Sequence, residues 1–145
     1  MIPRFGTPPE AGRRYGIRPG AYAILLRGDE MLVTYQHAPH DEFQLPGGGI
    51  DLGESPVSAL HREVYEETGY TMTAPRRLGA FRRFTYMPEY DKWAEKVCAI
   101  YAARPARRLG PPPEADHEAV WMPITVAART LANEGDRAFV RRFLL

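Results

Sequence analysis

The stretch GGGIDLGESPVSALHREVYEETGY, from Gly47 to Tyr70, gathers the residues of this chain best suited to chemistry. Glu63 and Glu67 stand at i,i+4, and Glu63 and Glu66 at i,i+3, so on a helix all three project within one arc. Like charges at that spacing each cost a helix about 0.2–0.5 kcal/mol. Glu66 and Glu67 also fall in the last turn, where the helix dipole disfavours negative charge. Arg62 offers relief to Glu66, and no lysine interrupts the run. Two such glutamates would read as a solvated acidic face. Three of them, with Glu54 just ahead and a glycine-rich loop alongside, read as a site for a hard cation. Mg²⁺ takes oxygen ligands and holds substrate phosphates, and glycines from Gly47 to Gly53 let a backbone carbonyl approach it. The chemistry expected is metal-assisted attack of water on phosphorus.

The carboxylates need a helix, and its punctuation is clear. Ser55 then Pro56 give an N-cap and a first-turn proline; Val57, Leu60 and Val64 form an apolar stripe; Gly69 supplies a left-handed stop. The helix predicted runs from Pro56 to Thr68. Ahead of it, AYAILL and MLVTYQ flank a turn at Gly28 and Asp29 and read as a hairpin. HAPHDE is a loop, and FQLP a short extended piece. After the helix, RRLGAFRRFTY and EKVCAIYAAR read as strands joined by MPEYDKWA. RPARRLGPPPEAD reads as a loop, AVWM as a short strand, ITVAARTLA as a helix opened by Pro123, and DRAFVRRFLL as the start of another. The class expected is α+β, an α/β/α sandwich with a mixed sheet. A single domain over 1–145 is expected, with a loosely ordered lead-in over 1–18 that is rich in Pro, Gly and Arg.

Composition removes several function classes. With 19 Lys+Arg against 18 Asp+Glu the net charge is +1, so no global field draws nucleic acid. No stable nucleic-acid complex is expected. One cysteine, Cys98, permits no internal disulfide and fits a reducing compartment; in VCAIYAA it reads as a small buried hydrophobe. No signal-peptide pattern and no membrane-length apolar run is seen, so a cytoplasmic protein without a membrane partner is expected, monomeric or homodimeric.

Gly48, Glu54 and the run Arg62-Glu63-Val64-Tyr65-Glu66-Glu67-Thr68-Gly69-Tyr70 together resemble the Nudix box, with Tyr70 where the final aliphatic usually stands. The resemblance implies a Nudix-like sandwich with a loop-helix-loop catalytic motif. It implies a hydrolase that uses Mg²⁺ or Mn²⁺ to cleave the diphosphate linkage of a nucleoside diphosphate derivative. By the same resemblance, Glu63, Glu66, Glu67 and the Gly47 carbonyl hold the metal, with Glu63 an alternative general base. Glu54 supports them, and Arg62 ties the motif together by ion pairing. An acid outside the box completes many such sites; Glu114, Asp116 and Glu118 are on offer, and Glu118 is favoured because it stands just before a strand. His117 reads as an exposed loop histidine.

Outside the box the signals concern substrate. Among Nudix proteins a tyrosine placed like Tyr86 suggests dinucleoside polyphosphates, and a proline suggests ADP-ribose; the tyrosine fits better. Tyr86, Tyr90 and Trp93 in TYMPEYDKW are placed to stack on a base, or to pack one another at a hairpin tip. Arg82 and Arg83 point to opposite sheet faces, so one of them at most meets phosphate; Arg83 and Arg27 are the candidates. Dinucleoside polyphosphate is the expected substrate, with nucleoside triphosphates, RNA 5′ ends and nucleotide sugars or ADP-ribose as alternatives. A nucleotide-sensing module without catalysis is a competing class, as is nucleic-acid binding through the arginines of the lead-in and RPARRLG.

Overall fold

A computed structural model describes residues 2–144; Met1 and Leu145, the ends of the expected lead-in and last helix, lie outside the described residues. The chain runs β1 (Gly16–Arg27), β2 (Glu30–Gln36), β3 (Glu42–Gln44), β4 (Gly47–Gly49), α1 (Pro56–Thr68), β5 (Tyr70–Met87), β6 (Lys92–Arg108), β7 (His117–Pro123), α2 (Ile124–Thr130) and α3 (Glu134–Leu144). The strands make one mixed sheet ordered β3-β2-β1-β6-β5, with β4 on β1 and β7 on β2. β1 lies parallel to β6 and antiparallel to β2 and β4.

Alternation along β1 sorts the two layers. Ala21, Ala23 and Leu25 pack with Leu60 and Val64 of α1, whereas Ile24 packs with Phe81, Ile100, Phe139 and Val140 on the face covered by α2 and α3. Helices on both faces of a mixed sheet give the α/β/α sandwich that the sequence predicts.

α1 begins and ends as predicted. Ser55 Oγ accepts the Ser58 N–H at 3.1 Å, and the Gly69 N–H donates to the Tyr65 carbonyl from a left-handed residue at φ 77°. A Cβ on Gly69 would lie 2.0 Å from the Gly110 carbonyl oxygen, so close chain approach as well as φ demands glycine. Val57 departs from the expected stripe: it is exposed, and Ala59, Leu60 and Val64 are the apolar residues that α1 buries.

Three other expectations are corrected. The lead-in is not loose throughout, because the Phe5 N–H donates to Arg82 and the Arg82 N–H to Pro3, while the Phe5 ring meets Phe81 edge-on. The glycines at 47–49 are strand rather than loop, paired with Gly20–Tyr22. RPARR continues β6, since pairing to β5 reaches Arg108 opposite Tyr70. No helix among the described residues is long and apolar enough to cross a membrane.

Asp136 of α3 is buried and bonded by the Leu45 backbone, and desolvation pushes its pKa from 3.8 up to about 7. The folded chain therefore holds this proton more tightly than the unfolded chain does. The stability it brings is complete below about pH 4 and is lost as pH rises through 7. D136N should flatten the fall in melting temperature across that window; an unchanged pH profile would contradict the assignment. Gly69→Ala should lower the unfolding free energy by well over about 1 kcal/mol in denaturant titration.

Candidate active site

The two ends of the Gly47–Tyr70 stretch are joined by one guanidinium. Arg62 Nε and Nη2 donate to both Glu54 carboxylate oxygens at 2.8 and 2.9 Å, Nη1 donates to Glu63 Oε1 and Glu66 Oε1 at 2.8 and 2.9 Å, and Nη2 reaches the Gly49 carbonyl at 3.2 Å. The hydrogen bonds from Arg62 hold the Glu54 carboxyl down at about 2, with help from the Asp51 N–H. The carboxylates raise Arg62 in turn, Glu54 most of all. Loop, helix and β4 thus share one charged knot.

Glu67 follows a different path. It is buried, its Oε1 accepts the Gly47 N–H at 3.0 Å, and its Oε2 lies 3.5 Å from His117 Nε2. Thr34 Oγ1 donates to the Glu67 carbonyl at 3.1 Å and stands 2.9 Å from His117 Nδ1. With its own hydrogen so committed, Thr34 accepts from Nδ1–H, which fixes the tautomer inferred for the ring. Burial pushes Glu67 well above the usual carboxylate range, and Glu63, Glu114 and Glu66 add to the rise. Desolvation also lifts Glu63 and Glu114, and depresses His117.

Glu63, Glu67, Glu114, Asp116 and His117 line one cavity of about 380 Å³, the size of an ordinary small-molecule site. Glu66 does not line it and is paired with Arg62. The favoured outside acid, Glu118, does not reach the cavity: it pairs with His37 at 2.8 Å on the other face of β7. Glu114 lies there instead, its N–H donating to the Glu66 carbonyl. His117, expected to be exposed, is buried because β7 starts at this residue, two places earlier than AVWM. Thr34 and its contacts with Glu67 went unread in the sequence.

The substrate candidates divide. Arg83 and Tyr90 line the cavity. Tyr86 and Trp93 do not; their rings pack together at 5.2 Å, the Tyr86 hydroxyl donates to Asp91, and Arg13 covers Trp93 at 3.7 Å. Arg27 lies over Trp121, away from the cavity. Cys98 lines it, but burial pushes its thiol up to about 12, so it is no nucleophile near neutrality.

The donor set suits a hard divalent ion in kind. Glu63 and Glu66 each keep Oε2 without a hydrogen-bond partner among the described residues. A Cβ on Gly48 would lie 2.6 Å from the Glu63 carboxyl carbon, so this glycine leaves the room that carboxylate fills. Oxygen ligands that raise one another's pKa are what a cation relieves. As they stand, no three Asp, Glu, His or Cys side chains among the described residues converge on one point; Glu63 and Glu66 are turned to Arg62 and Glu67 to the Gly47 N–H.

The NUDIX domain family matches residues 16–143. An 8-oxo-(d)GTP phosphatase of Mycolicibacterium smegmatis is 37% identical over 114 residues, which is 77% of this chain and 33% of that protein. An RNA pyrophosphohydrolase of Halorhodospira halophila is 36% identical over 48% of this chain and 38% of its own length. The chain therefore spans less than half the length of these curated relatives. Among solved structures, a MutT NUDIX hydrolase from Burkholderia pseudomallei superposes with a TM-score of 0.72 at 21% identity, covering 88% of this chain and 98% of that one. The MutT protein of Methanosarcina mazei gives 0.69 at 20%, covering 89% and 94%. With the box at α1, the sandwich around it and a family match over nearly the whole length, the chain belongs to the NUDIX domain family.

Proposed function

We propose that this protein is a Mg²⁺- or Mn²⁺-dependent hydrolase that cleaves a phosphoanhydride bond in a nucleoside polyphosphate. The observation carrying this reading is the wall of Glu63, Glu67 and Glu114 on one cavity: Glu67 is buried, Glu63 half-buried and Glu114 exposed, and desolvation and neighbouring carboxylates push all three pKa values up. Glu63, Glu66 and Glu67 would hold the metal with the Gly47 carbonyl, and Glu114 replaces Glu118 as the acid from outside the box. When bound, the ion polarises a phosphoryl oxygen and acidifies water.

The chain's own groups do the rest. Water supplies the new oxygen on phosphorus, the P–O bond to the departing phosphate breaks, and a wall carboxylate takes the water's proton. Glu63 suits this last role as the alternative to ligating the metal, because its Oε2 is free of hydrogen bonds among the described residues. The Gly47 N–H and the Thr34–His117 pair keep Glu67 from swinging out of the wall. Tyr90 offers a ring at the cavity for the base.

For the substrate, relatives named for 8-oxo-(d)GTP and for RNA pyrophosphate hydrolysis support a nucleoside 5′-triphosphate group. The placement of Tyr86 off the cavity gives dinucleoside polyphosphate no support from that residue. Dinucleoside polyphosphates therefore enter the test as the comparison substrate.

Glu67→Gln keeps an acceptor for the Gly47 N–H and should cut turnover at least about a hundredfold with no loss of melting temperature. Undiminished hydrolysis across nucleoside triphosphates, triphosphorylated RNA, dinucleoside polyphosphates and ADP-ribose would contradict the reading. Arg62→Ala should both slow hydrolysis and cost about 1–3 kcal/mol of stability, since it strips charge-assisted bonds from three carboxylates. Chemical denaturation alongside the rate assay checks both effects.

A further inference from the structure

The cavity carries a second charged feature, built from the sheet instead of α1. Arg18 of β1 is the register partner of Lys96 of β6, and Lys96 is the register partner of Arg83 of β5. Partners in register project to one face, so three cations stand side by side over two strand spacings, about 10 Å. All three line the cavity.

As structure alone this row is costly. Like charges directly opposite each other destabilise a sheet, and none of the three forms an ion pair or side-chain hydrogen bond among the described residues. Arg83 Nε is buried with no partner. Burial and the neighbouring Arg83 push the Lys96 ammonium pKa down. Glu89 and Asp136 exert a field on the row from farther off, but neither pairs with it, and Asp136 is itself poised near pH 7. The adjacent Arg82, on the opposite face, shows the ordinary solution: it pairs with Glu95 at 3.2 Å.

The row and the acids meet across β4. A Cβ on Gly48 would strike Glu63, whereas one on Gly49 would lie 3.8 Å from Arg18 Nη2. Successive strand residues face opposite sides, so β4 turns bare backbone toward Glu63 on one side and toward Arg18 on the other. At the mouth, Arg18 lies 5.0 Å over the Tyr90 ring, which limits where its guanidinium can go.

We propose that Arg18, Lys96 and Arg83 form a polyphosphate shelf, which holds the phosphates beyond those engaged at the acidic wall and selects chains of three or more over a diphosphate. Its width and triple charge match a chain of phosphates better than a single group, and the Arg83 guanidinium lines the cavity with no ion-pair partner among the described residues. The role assigned to the shelf rests on the phosphoanhydride-hydrolase reading, but its anion binding does not require hydrolysis or a metal.

Calorimetric titration in EDTA, with inorganic tripolyphosphate and pyrophosphate as probes, tests it directly. The intact protein should bind tripolyphosphate at least tenfold more tightly than pyrophosphate. Lys96→Met and Arg83→Met should each lose at least tenfold in tripolyphosphate affinity, and Arg18→Met provides a third variant at the cavity mouth should either fail to fold. In the hydrolysis assay with metal, the same variants should raise KM for nucleoside triphosphates more than for ADP-ribose. Equal tripolyphosphate affinity in folded variants and the intact protein, or equal affinity for the two probes, would overturn the shelf. Shelf binding without any hydrolysis would overturn the enzyme reading alone, and hydrolysis with unaltered probe binding would overturn the shelf alone.

Discussion

Arg62 stands where four negative groups would otherwise repel one another. Its guanidinium bonds Glu54, Glu63 and Glu66, with Asp51 at 3.4 Å, while also reaching the Gly49 carbonyl. Without it, the second half of α1 would carry an uncompensated acidic cluster at the helix end least tolerant of one. With it, the cluster becomes a scaffold: the loop closes on the helix, and β4 is drawn over Glu63. Glu67, which Arg62 does not touch, is buried, and desolvation pushes it well above the usual carboxylate range. The Gly47 N–H, Thr34 and His117 surround it.

The glycines of β4 have a further consequence. A strand with any side chain at 48 would expel Glu63, and one at 47 would collide with Ala21 and Tyr22. Stripped to backbone, β4 lets the acidic group from α1 and the cationic row from β1, β5 and β6 line the same cavity from the two faces of the sheet. A phosphate chain needs cations around its oxygens, and a hydrolytic site needs carboxylates to hold a metal and take a proton. Kept this near each other, the two groups would neutralise one another if they could touch. The row of cations forms no ion pair among the described residues, and β4 has Glu63 on one side and Arg18 on the other.

Much of this was legible in the sequence, for local reasons. α1 starts at Pro56 and ends at Thr68 as its cap residues predict, and the hairpin turns at Gly28–Asp29. What failed depended on register. His117 and Glu118 are neighbours, and only one can face α1; β7 starting at His117 gives the inward side to the histidine, with Ala119 and Trp121 on the same parity. The Thr34–His117 contact joins residues 83 positions apart, and no local pattern announces it. The cation row needs three strands in register before it exists at all. Tyr86 and Trp93 stay exposed but lie off the cavity, and nothing in TYMPEYDKW reveals that Arg13 and Tyr15 pack against the Trp93 ring.

On the proposed function, the acids on α1 gather to hold a hard divalent ion. A Mn²⁺ titration followed by electron paramagnetic resonance tests it most directly, on the intact protein and on the double variant Glu63→Gln, Glu67→Gln. The expected result is saturable, near-stoichiometric Mn²⁺ binding that the double variant loses and that Mg²⁺ displaces, with Glu118→Gln leaving it unchanged. Mn²⁺ binding of equal strength in the double variant, or no specific binding by the intact protein, would contradict it.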